Sequence, residues 1–589
     1  MIIPFTLSLL LVSTFYFSIL PLYVQGGDTA ELVNASFNLL VPHPPGYPLF
    51  LWSQHLWTHV FQVETVFWRA SFLNSLMGLG AIFVVIFPQR KSLLGLLLLL
   101  SLATQSEFIE ASVLPDVFAL HGLMVAFLGW LFLYVHHPRR FFLIPFLFLL
   151  GASNHHTIIF YLPCLLFTLW EGRKDHKPLL LTGFILGVLA ASGLYLSLFL
   201  LRTDHPYSWG NLKDFSSLIS HVLRKEYGTF KLSAHGAFPD GGAYVYLLKS
   251  LLPYLGVFLF LFMKGKTIFS SDKKFRTLLL CFLITLLFPL LMNVAPVYMG
   301  EEILRRFHVM PLVLLFTLLT YLTSVLVLDR KSTLILTLLF APVLLLNFYR
   351  LPDFFPLRHD SLIEDHSKNL LKVALKYKPG VILADNDSSF FALRYLQSFS
   401  PQKEVVVMAP SLLFFPWYVE KIQQQMPTFK LLDQEKVFSE KFLSLPSQVI
   451  KPNLPSMNFV LMRDYKEGDW YKVTFTKLGR VVQEGSGVYF DKDLKIDFKK
   501  IDFPSVPQAS TKSYLYWQYS FYYLAQAVHE ESQNNLPIMK AHLEEALRIV
   551  PYAKHALSWL CRVKEEGQEY PLCLPEKRKE ISEKARFLN

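Results

Sequence analysis

Charged residues are scarce. They make up 17% of the 589 positions, where a soluble domain carries about 25%. The deficit falls almost wholly in the first ~350 residues, where apolar runs reach the ~20 residues needed for one membrane crossing. An ordinary soluble enzyme is excluded for that part of the chain. Cysteine is also rare: Cys164, Cys281, Cys561 and Cys573 are scattered, and none has metal-site spacing. Cys561 and Cys573 are either a pair in an oxidising compartment or two free thiols. Neither a P-loop nor a G-x-G-x-x-G stretch occurs, which argues against a nucleotide-driven pump and a nucleotide-sugar site. Met1 to Val24 is apolar with no basic residue ahead of it, unlike a cleaved signal peptide. We expect a retained first helix there.

What is present is a polytopic pattern. Candidate spans are 2–24, 66–88, 92–108, 112–135, 178–201, 244–263, 275–295, 307–328 and 332–349. A broken pair, 141–153 and 156–170, brings the expectation to about eleven membrane segments. The net charge of +11 does not point to nucleic acid, because much of the excess lies in short loops between spans. Loops such as Gln89-Arg90-Lys91 and Pro138-Arg139-Arg140 all fall on one side if the first helix starts inside. The loops 25–65 and 202–243, and everything after residue 350, then fall outside. This assignment requires 141–170 to return to the side it entered, as a re-entrant hairpin or two spans, with Ser153-Asn154-His155-His156 at the turn.

After residue 350 the composition changes. Val381–Ala384 and Val405–Met408 read as short buried strands, each followed by a helical stretch, so a small α/β domain is expected over 351–510. A Ser/Pro-rich linker is expected near 442–455, followed by a β-rich stretch over 457–500. Residues 511–589 read as a helical tail holding one TPR-like unit around Ala541–Leu547 and Pro551.

The polar residues flanking the spans are candidates for chemistry. Asp28 and Glu31, three residues apart, share a face if their loop is helical, which suits a general base with a second carboxylate orienting it. External loops carry acidic residues for solvation too. Pro42-His43-Pro44-Pro45-Gly46-Tyr47-Pro48 must be a rigid turn. It either presents His43 and Tyr47 to a substrate or merely closes the loop. Asn154, His155 and His156 sit between two apolar half-spans, where polar groups are costly and therefore functional by default. No third ligand is spaced to make the histidines a metal site. Arg202, Arg305 and Arg306 end or begin spans; arginine binds phosphate bidentately, and it also snorkels to interfaces. Asp385 and Asp387 follow a strand and are expected to cap the next helix rather than form a second active site.

The sequence resembles the DUF2723 / TMEM260-type membrane proteins. The resemblance rests on Gly27-Asp28-Thr29-Ala30-Glu31, on His43-Pro44-Pro45-Gly46-Tyr47-Pro48-Leu49, and on Trp68 to Asn74. It continues through Asp116-Val117-Phe118-Ala119-Leu120-His121, Asn154-His155-His156-Thr157, Trp209-Gly210 and Arg224–Gly228, reaching roughly residue 425. It implies a GT-C type glycosyltransferase, protein O-mannosyltransferase-like, that takes a sugar from a polyprenyl-phosphate carrier. By the same resemblance Asp28 would be the base that deprotonates a Ser/Thr hydroxyl, with inversion. Two positions depart from the family pattern: Asp116 stands where Glu is usual, and Ser208 where Asn is usual. Both bear on the acceptor or sugar pocket.

The expectation is therefore an integral membrane glycosyltransferase with catalytic Asp28 and Glu31. His43, Tyr47, Asp116, Asn154, His155, His156, Arg202, Arg305 and Arg306 would bind substrate. No cofactor or metal is expected. The partners expected are a lipid-linked sugar donor, an acceptor protein or glycan and membrane lipid, with no nucleic acid. A bacterial inner membrane with a periplasmic tail is favoured over an endoplasmic reticulum membrane. The rivals are a membrane-anchored binding or assembly protein that works through its TPR-like tail, and a lipid or sugar transporter. A transporter would show inverted repeats and polar residues spread through its spans.

Overall fold

The structure, a computed structural model, describes residues 2–228, 241–288 and 304–461, apart from positions 385, 403, 441 and 442, together with shorter pieces up to Val550. The chain divides into two compact units. The first holds Met1–Tyr23, Leu32–Pro296 and Gly300–Asp360; the second holds Val24–Glu31, Val297–Met299 and Ser361–Asn589.

The first unit is helical. Among the described residues six helices are long and apolar enough to cross a membrane: Val66–Gln89, Val117–Tyr134, Lys177–Leu200, Leu247–Lys264, Leu304–Val325 and Arg330–Lys376. A pair bent by 65°, Leu93–Ala103 with Ser106–Val113, makes a seventh if it counts as one span. This is an integral, multi-pass membrane protein. The expected eleven segments are not all found as full-length helices. The first run yields a helix of 17 residues, Ile2–Ser18. The run expected over 141–170 becomes the helix Arg140–Ala152, a turn, and the helices His156–Tyr161 and Leu162–Gly172. At 1.5 Å rise per residue none of these reaches across a ~30 Å core. The segment 275–295 is described only as Lys273–Leu286; the rest lies outside the described residues.

Capping fixes where helices begin. Thr65 accepts the Trp68 amide at 3.1 Å, Asp116 accepts the Val117 amide at 2.6 Å, and Asp329 accepts the Ser332 amide at 2.7 Å. Helix Val117–Tyr134 is central, packed between Val66–Ile86 and Val309–Val325. Small residues allow the close approach. A Cβ on Gly122 would lie 2.9 Å from Val309 Cγ1, and one on Gly129 3.0 Å from Thr317 Cγ2. Cys164 and Cys281, far apart in sequence, meet here as buried free thiols with Sγ atoms 3.4 Å apart.

The second unit is built on one mixed sheet. Its strands are β1 (Gly380–Leu383), β2 (Val405–Met408), β3 (Asn458–Leu461), β4 (Tyr471–Thr476), β5 (Gly479–Glu484) and β6 (Gly487–Phe490), in the order β2-β1-β3-β5-β4-β6. β1 is parallel to both β2 and β3, while β5 runs antiparallel to β3 and β4. The α/β part and the β-rich part expected from the sequence are thus one sheet, because β3 pairs Val460 with Ile382. Helices Leu362–Lys376 and Asp387–Phe399 cover it. The expected linker near 442–455 is ordered helix instead, Leu445–Ile450 and Lys451–Asn453, because Leu445, Val449 and Ile450 are buried. Asn386, not Asp387, caps helix Asp387–Phe399, with its side chain accepting the Ser389 amide at 2.9 Å; Asp385 lies outside the described residues. Of the TPR-like tail the structure gives helix Leu536–Ile549. Pro551, Cys561 and Cys573 lie outside the described residues.

Candidate functional site

Three turns of the first unit converge. The first is the proline-rich turn before helix Pro48–Val60. Gly46 has φ +94° and Tyr47 φ +43°, both left-handed, and Pro44-Pro45 is cis. Pro48 opens the helix, where its missing N–H costs nothing. A Cβ on Gly46 would lie 2.9 Å from Leu198 Cδ1 and 3.3 Å from His221 Nε2, so glycine is required for space as well as dihedral. Within the turn the Tyr47 hydroxyl and His43 Nε2 are 3.0 Å apart, and the edge of His43 meets Trp209 with ring centroids 6.1 Å apart.

The second turn is Ser153–Thr157. It is tied to the first by the Leu49 amide, which donates to Ser153 O at 3.3 Å, and by the Tyr47 and His155 rings, nearly parallel at 6.1 Å. His155 Nδ1 accepts the Thr157 amide at 3.3 Å and lies 2.7 Å from the Thr157 hydroxyl, so Nδ1 carries no proton and the hydroxyl donates to it. Thr157 Oγ1 is 3.0 Å from His121 Nε2, which must then be the donor. On this network the neutral His155 ring carries its proton on Nε2. Asn154 Nδ2 donates to Val117 O at 3.1 Å, while its buried Oδ1 has no hydrogen-bond partner among the described residues. His156 Nε2 is 3.2 Å from the Tyr195 hydroxyl.

The third turn is Leu114–Val117. Asp116 is 4% exposed; its Oδ1 caps the helix and its Oδ2 lies 3.1 Å from Arg306 Nη1. Asn74 holds the turn from beneath, donating to Leu114 O at 2.7 Å and Asp116 O at 2.6 Å, and Gln54 in turn donates to Asn74 Oδ1. Phe118, the next inward residue, lies against His155 and Phe307, with centroids 4.9 and 5.0 Å away. A cavity alongside is walled by Phe118, Phe160, Phe288 and Phe307, with His121, Thr157 and Thr285 as polar groups.

The structure therefore brings His43, Tyr47, Asp116, Asn154, His155, His156 and Arg306 into one neighbourhood. Arg305 pairs instead with Glu110 at 3.4 Å. The Arg202 side chain is exposed; its amide donates to Leu39 O at 2.8 Å, anchoring the 202–228 loop to the first loop. That loop supplies Trp209, whose amide donates to Val41 O at 2.8 Å, and His221. His221 is buried, and burial together with the nearby His43 pushes it down to about 3. Asp28 and Glu31 belong to the second unit, at the start of helix Thr29–Asn38. Sequence reasoning assigned no role to Asn74, His121, Thr157 or His221. Asn74 and His121 each interrupt an apolar run, and both, with Thr157, lie in the stretches that carry the family resemblance. Among the described residues no group of three or more His, Cys, Asp or Glu is placed to hold a metal ion.

Residues 28–177 match the family model of the protein O-mannosyl-transferase TMEM260 N-terminal domain. By that match this stretch, about a quarter of the chain, is similar to the TMEM260 N-terminal domain. The matched stretch runs from Asp28 and contains His43, Tyr47, Asp116 and the Asn154–His156 turn. The protein O-mannosyl-transferase tmem260 of Dictyostelium discoideum is 29% identical over 248 residues, covering 37% of this chain and 30% of that protein. The protein O-mannosyl-transferase TMEM260 of Mus musculus is 32% identical over 232 residues, covering 36% of this chain and 33% of that protein. The chain thus spans about a third of the length of these relatives. Among solved structures, ArnT from Cupriavidus metallidurans bound to undecaprenyl phosphate is similar at 13% identity and a TM-score of 0.47, over 81% of this chain and 96% of ArnT. Its apo form has a TM-score of 0.45.

Proposed function

We propose that the protein is a GT-C type membrane glycosyltransferase that moves one sugar, mannose in the first instance, from a polyprenyl-phosphate donor to a protein Ser/Thr hydroxyl on the external face. The observation that carries this reading is the TMEM260 N-terminal domain over 28–177, whose relatives are named protein O-mannosyl-transferases. The gathering of His43, Tyr47, Asp116, Asn154 and His155 at turns of an otherwise apolar unit supports it, since polar groups there are costly unless used.

In this reading Asp28 takes the proton of the acceptor hydroxyl, with Glu31 orienting acceptor or base. The freed oxygen bonds to the anomeric carbon, the bond from that carbon to the phosphate oxygen breaks, and polyprenyl phosphate leaves with the electron pair, with inversion. Negative charge grows on the departing phosphate, and cations placed for it stabilise the transition state. Arg202, exposed at the end of its span, and Arg305 and Arg306 are the candidates; Arg306 would exchange Asp116 for phosphate. The second unit would select or hold the acceptor, in a bacterial periplasm or its equivalent.

The test is transfer of label from polyprenyl-phosphate mannose to protein in membranes, comparing wild type with Asp28→Asn at matched expression. Transfer by wild type and loss in the variant is expected. Transfer that survives in Asp28→Asn moves the base elsewhere. No transfer from any polyprenyl-phosphate sugar rejects the enzyme and leaves the binding protein.

A further inference from the structure

Within the second compact unit, side chains far along the chain hold the segment that carries Asp28. The Val24 amide donates to Glu364 Oε2 at 3.0 Å, and the Gly27 amide donates to Ser388 Oγ at 2.7 Å. Gly26 comes so close that an added Cβ would lie 3.1 Å from both Ser388 Oγ and Ile363 Cδ1. Gly27 has φ +69°, and Thr29 Oγ1 closes the turn by donating to Gly26 O at 2.9 Å. The chain on either side of this turn belongs to the first unit. The partners Glu364 and Ser388 are 340 and 361 residues away in sequence from the amides they accept.

We propose that Ser388 and Glu364 are positioning residues for Asp28, holding main-chain amides of the turn that carries it. This rests on the reading of Asp28 as the base. The two functional stretches of the first loop are stiffened differently. Residues 42–48 carry four prolines, and their rigidity is local. Residues 24–31 carry no proline and two adjacent glycines, which alone would leave the turn free. Its order comes from outside, through hydrogen bonds to main-chain amides that no side-chain change in the turn removes. Ser388 is suited to the task. Asn386 already caps helix Asp387–Phe399, so the Ser388 hydroxyl is released from capping, and it is 2% exposed. Glu364 lies in the first turn of helix Leu362–Lys376 and is held by Lys368 at 2.6 Å. A base displaced by about 1 Å loses on the order of a hundredfold in rate, so a clamp on the residue before Asp28 bears directly on turnover.

The experiment uses the full-length protein in membranes or detergent, with polyprenyl-phosphate mannose as donor. It compares wild type, Asp28→Asn, Ser388→Ala, Ser388→Thr and Glu364→Gln, and follows hydrogen exchange of peptides covering 24–31 and 380–408. We expect Ser388→Ala to lower kcat about tenfold or more, with donor KM within about twofold of wild type. Exchange should quicken at 24–31 and stay unchanged at 380–408, and Ser388→Thr, which keeps the hydroxyl, should restore both. If Ser388→Ala also loosens 380–408, Glu364→Gln, which weakens the other anchor from a helix surface, decides: faster exchange at 24–31 with lower kcat supports the clamp. Unchanged kcat in Ser388→Ala and Glu364→Gln, with transfer abolished in Asp28→Asn, overturns the positioning role and leaves the functional reading standing. Transfer that persists in Asp28→Asn removes the base assignment and with it the catalytic meaning of the clamp. Unchanged exchange at 24–31 in both anchor variants overturns the clamp itself.

Discussion

Arg306 Nη1 lies 3.1 Å from Asp116 Oδ2, and the two side chains are 16% and 6% exposed. Asp116 spends its other oxygen on the cap of helix Val117–Tyr134, so one carboxylate both starts the central helix and holds a cation. Removing one partner of such a pair leaves a buried charge uncompensated, at about 3–5 kcal/mol. Both Asp116→Asn and Asp116→Ala lose the pair, and Asp116→Ala should lower the melting temperature in detergent further, because Asn keeps a capping oxygen. The double variant Asp116→Ala with Arg306→Met should recover part of the loss. If Asp116→Asn and Asp116→Ala melt alike, the cap does not contribute as described; if both melt like wild type, neither does the ion pair.

Gly46 is the second point of attack. Its φ of +94° and the 2.9 Å approach to Leu198 exclude a side chain. Gly46→Ala should cost about 1–3 kcal/mol through strain, and should move Tyr47, whose ring faces His155 and whose hydroxyl meets His43. A neighbouring change without that constraint, Leu49→Met, should melt within about 1.5 kcal/mol of wild type. Equal stability and equal transfer for Gly46→Ala and wild type would mean that the turn relaxes without consequence.

Thr157 joins two histidines from different elements, His155 at 2.7 Å and His121 at 3.0 Å. Thr157→Val keeps the shape and deletes the hydroxyl, stranding the His121 Nε2 donor and leaving His155 Nδ1 with the Thr157 amide alone. A stranded buried group costs about 1–3 kcal/mol. Thr157→Ser should behave as wild type and Thr157→Val should not, in both thermal melting and sugar transfer. Identical behaviour of the Ser and Val variants would rule the hydroxyl out of the network.

Much of this was legible in the sequence, for identifiable reasons. Apolar runs report helices directly, so Val66–Gln89, Val117–Tyr134 and Lys177–Leu200 fall within a few residues of their expected spans. Strands β1 and β2 stood out because all of their residues are apolar and buried. The pairing of β3 onto β1 was not legible, since register between segments some 80 residues apart leaves no local trace. His43, Tyr47 and Asn154 stood out because proline, glycine and misplaced polarity are local signals. His221 did not, because a lone histidine in a polar loop looks solvated; only the fold buries it, against a turn more than 170 residues earlier. The hold of Glu364 and Ser388 on the segment with Asp28 is likewise a property of the tertiary structure, between residues more than 300 positions apart.

The burial of His221 makes the loop sensitive to acid. Its ring is 5% exposed and hydrogen-bonds Pro42, which has no N–H, so the ring donates to the Pro42 carbonyl. His43 is the facing titratable group, and protonating both rings would set two cations together. Burial lowers the His221 pKa from about 6.5 in the unfolded chain to about 3 in the fold. The folded state therefore binds fewer protons than the unfolded state between those values, so this contribution is fully present above pH ~6.5 and is lost as pH falls toward 3. The slope in that window is about 1.4 kcal/mol per pH unit. Local stability of the 42–47 turn, read by hydrogen exchange of its peptides, should be flat from pH 8 to 7 and decline steadily below 6. His221→Gln, which can still donate to Pro42 and does not titrate, should flatten the decline while Gly46 keeps its room. A variant that declines as steeply as wild type would place the acid-sensitive group elsewhere.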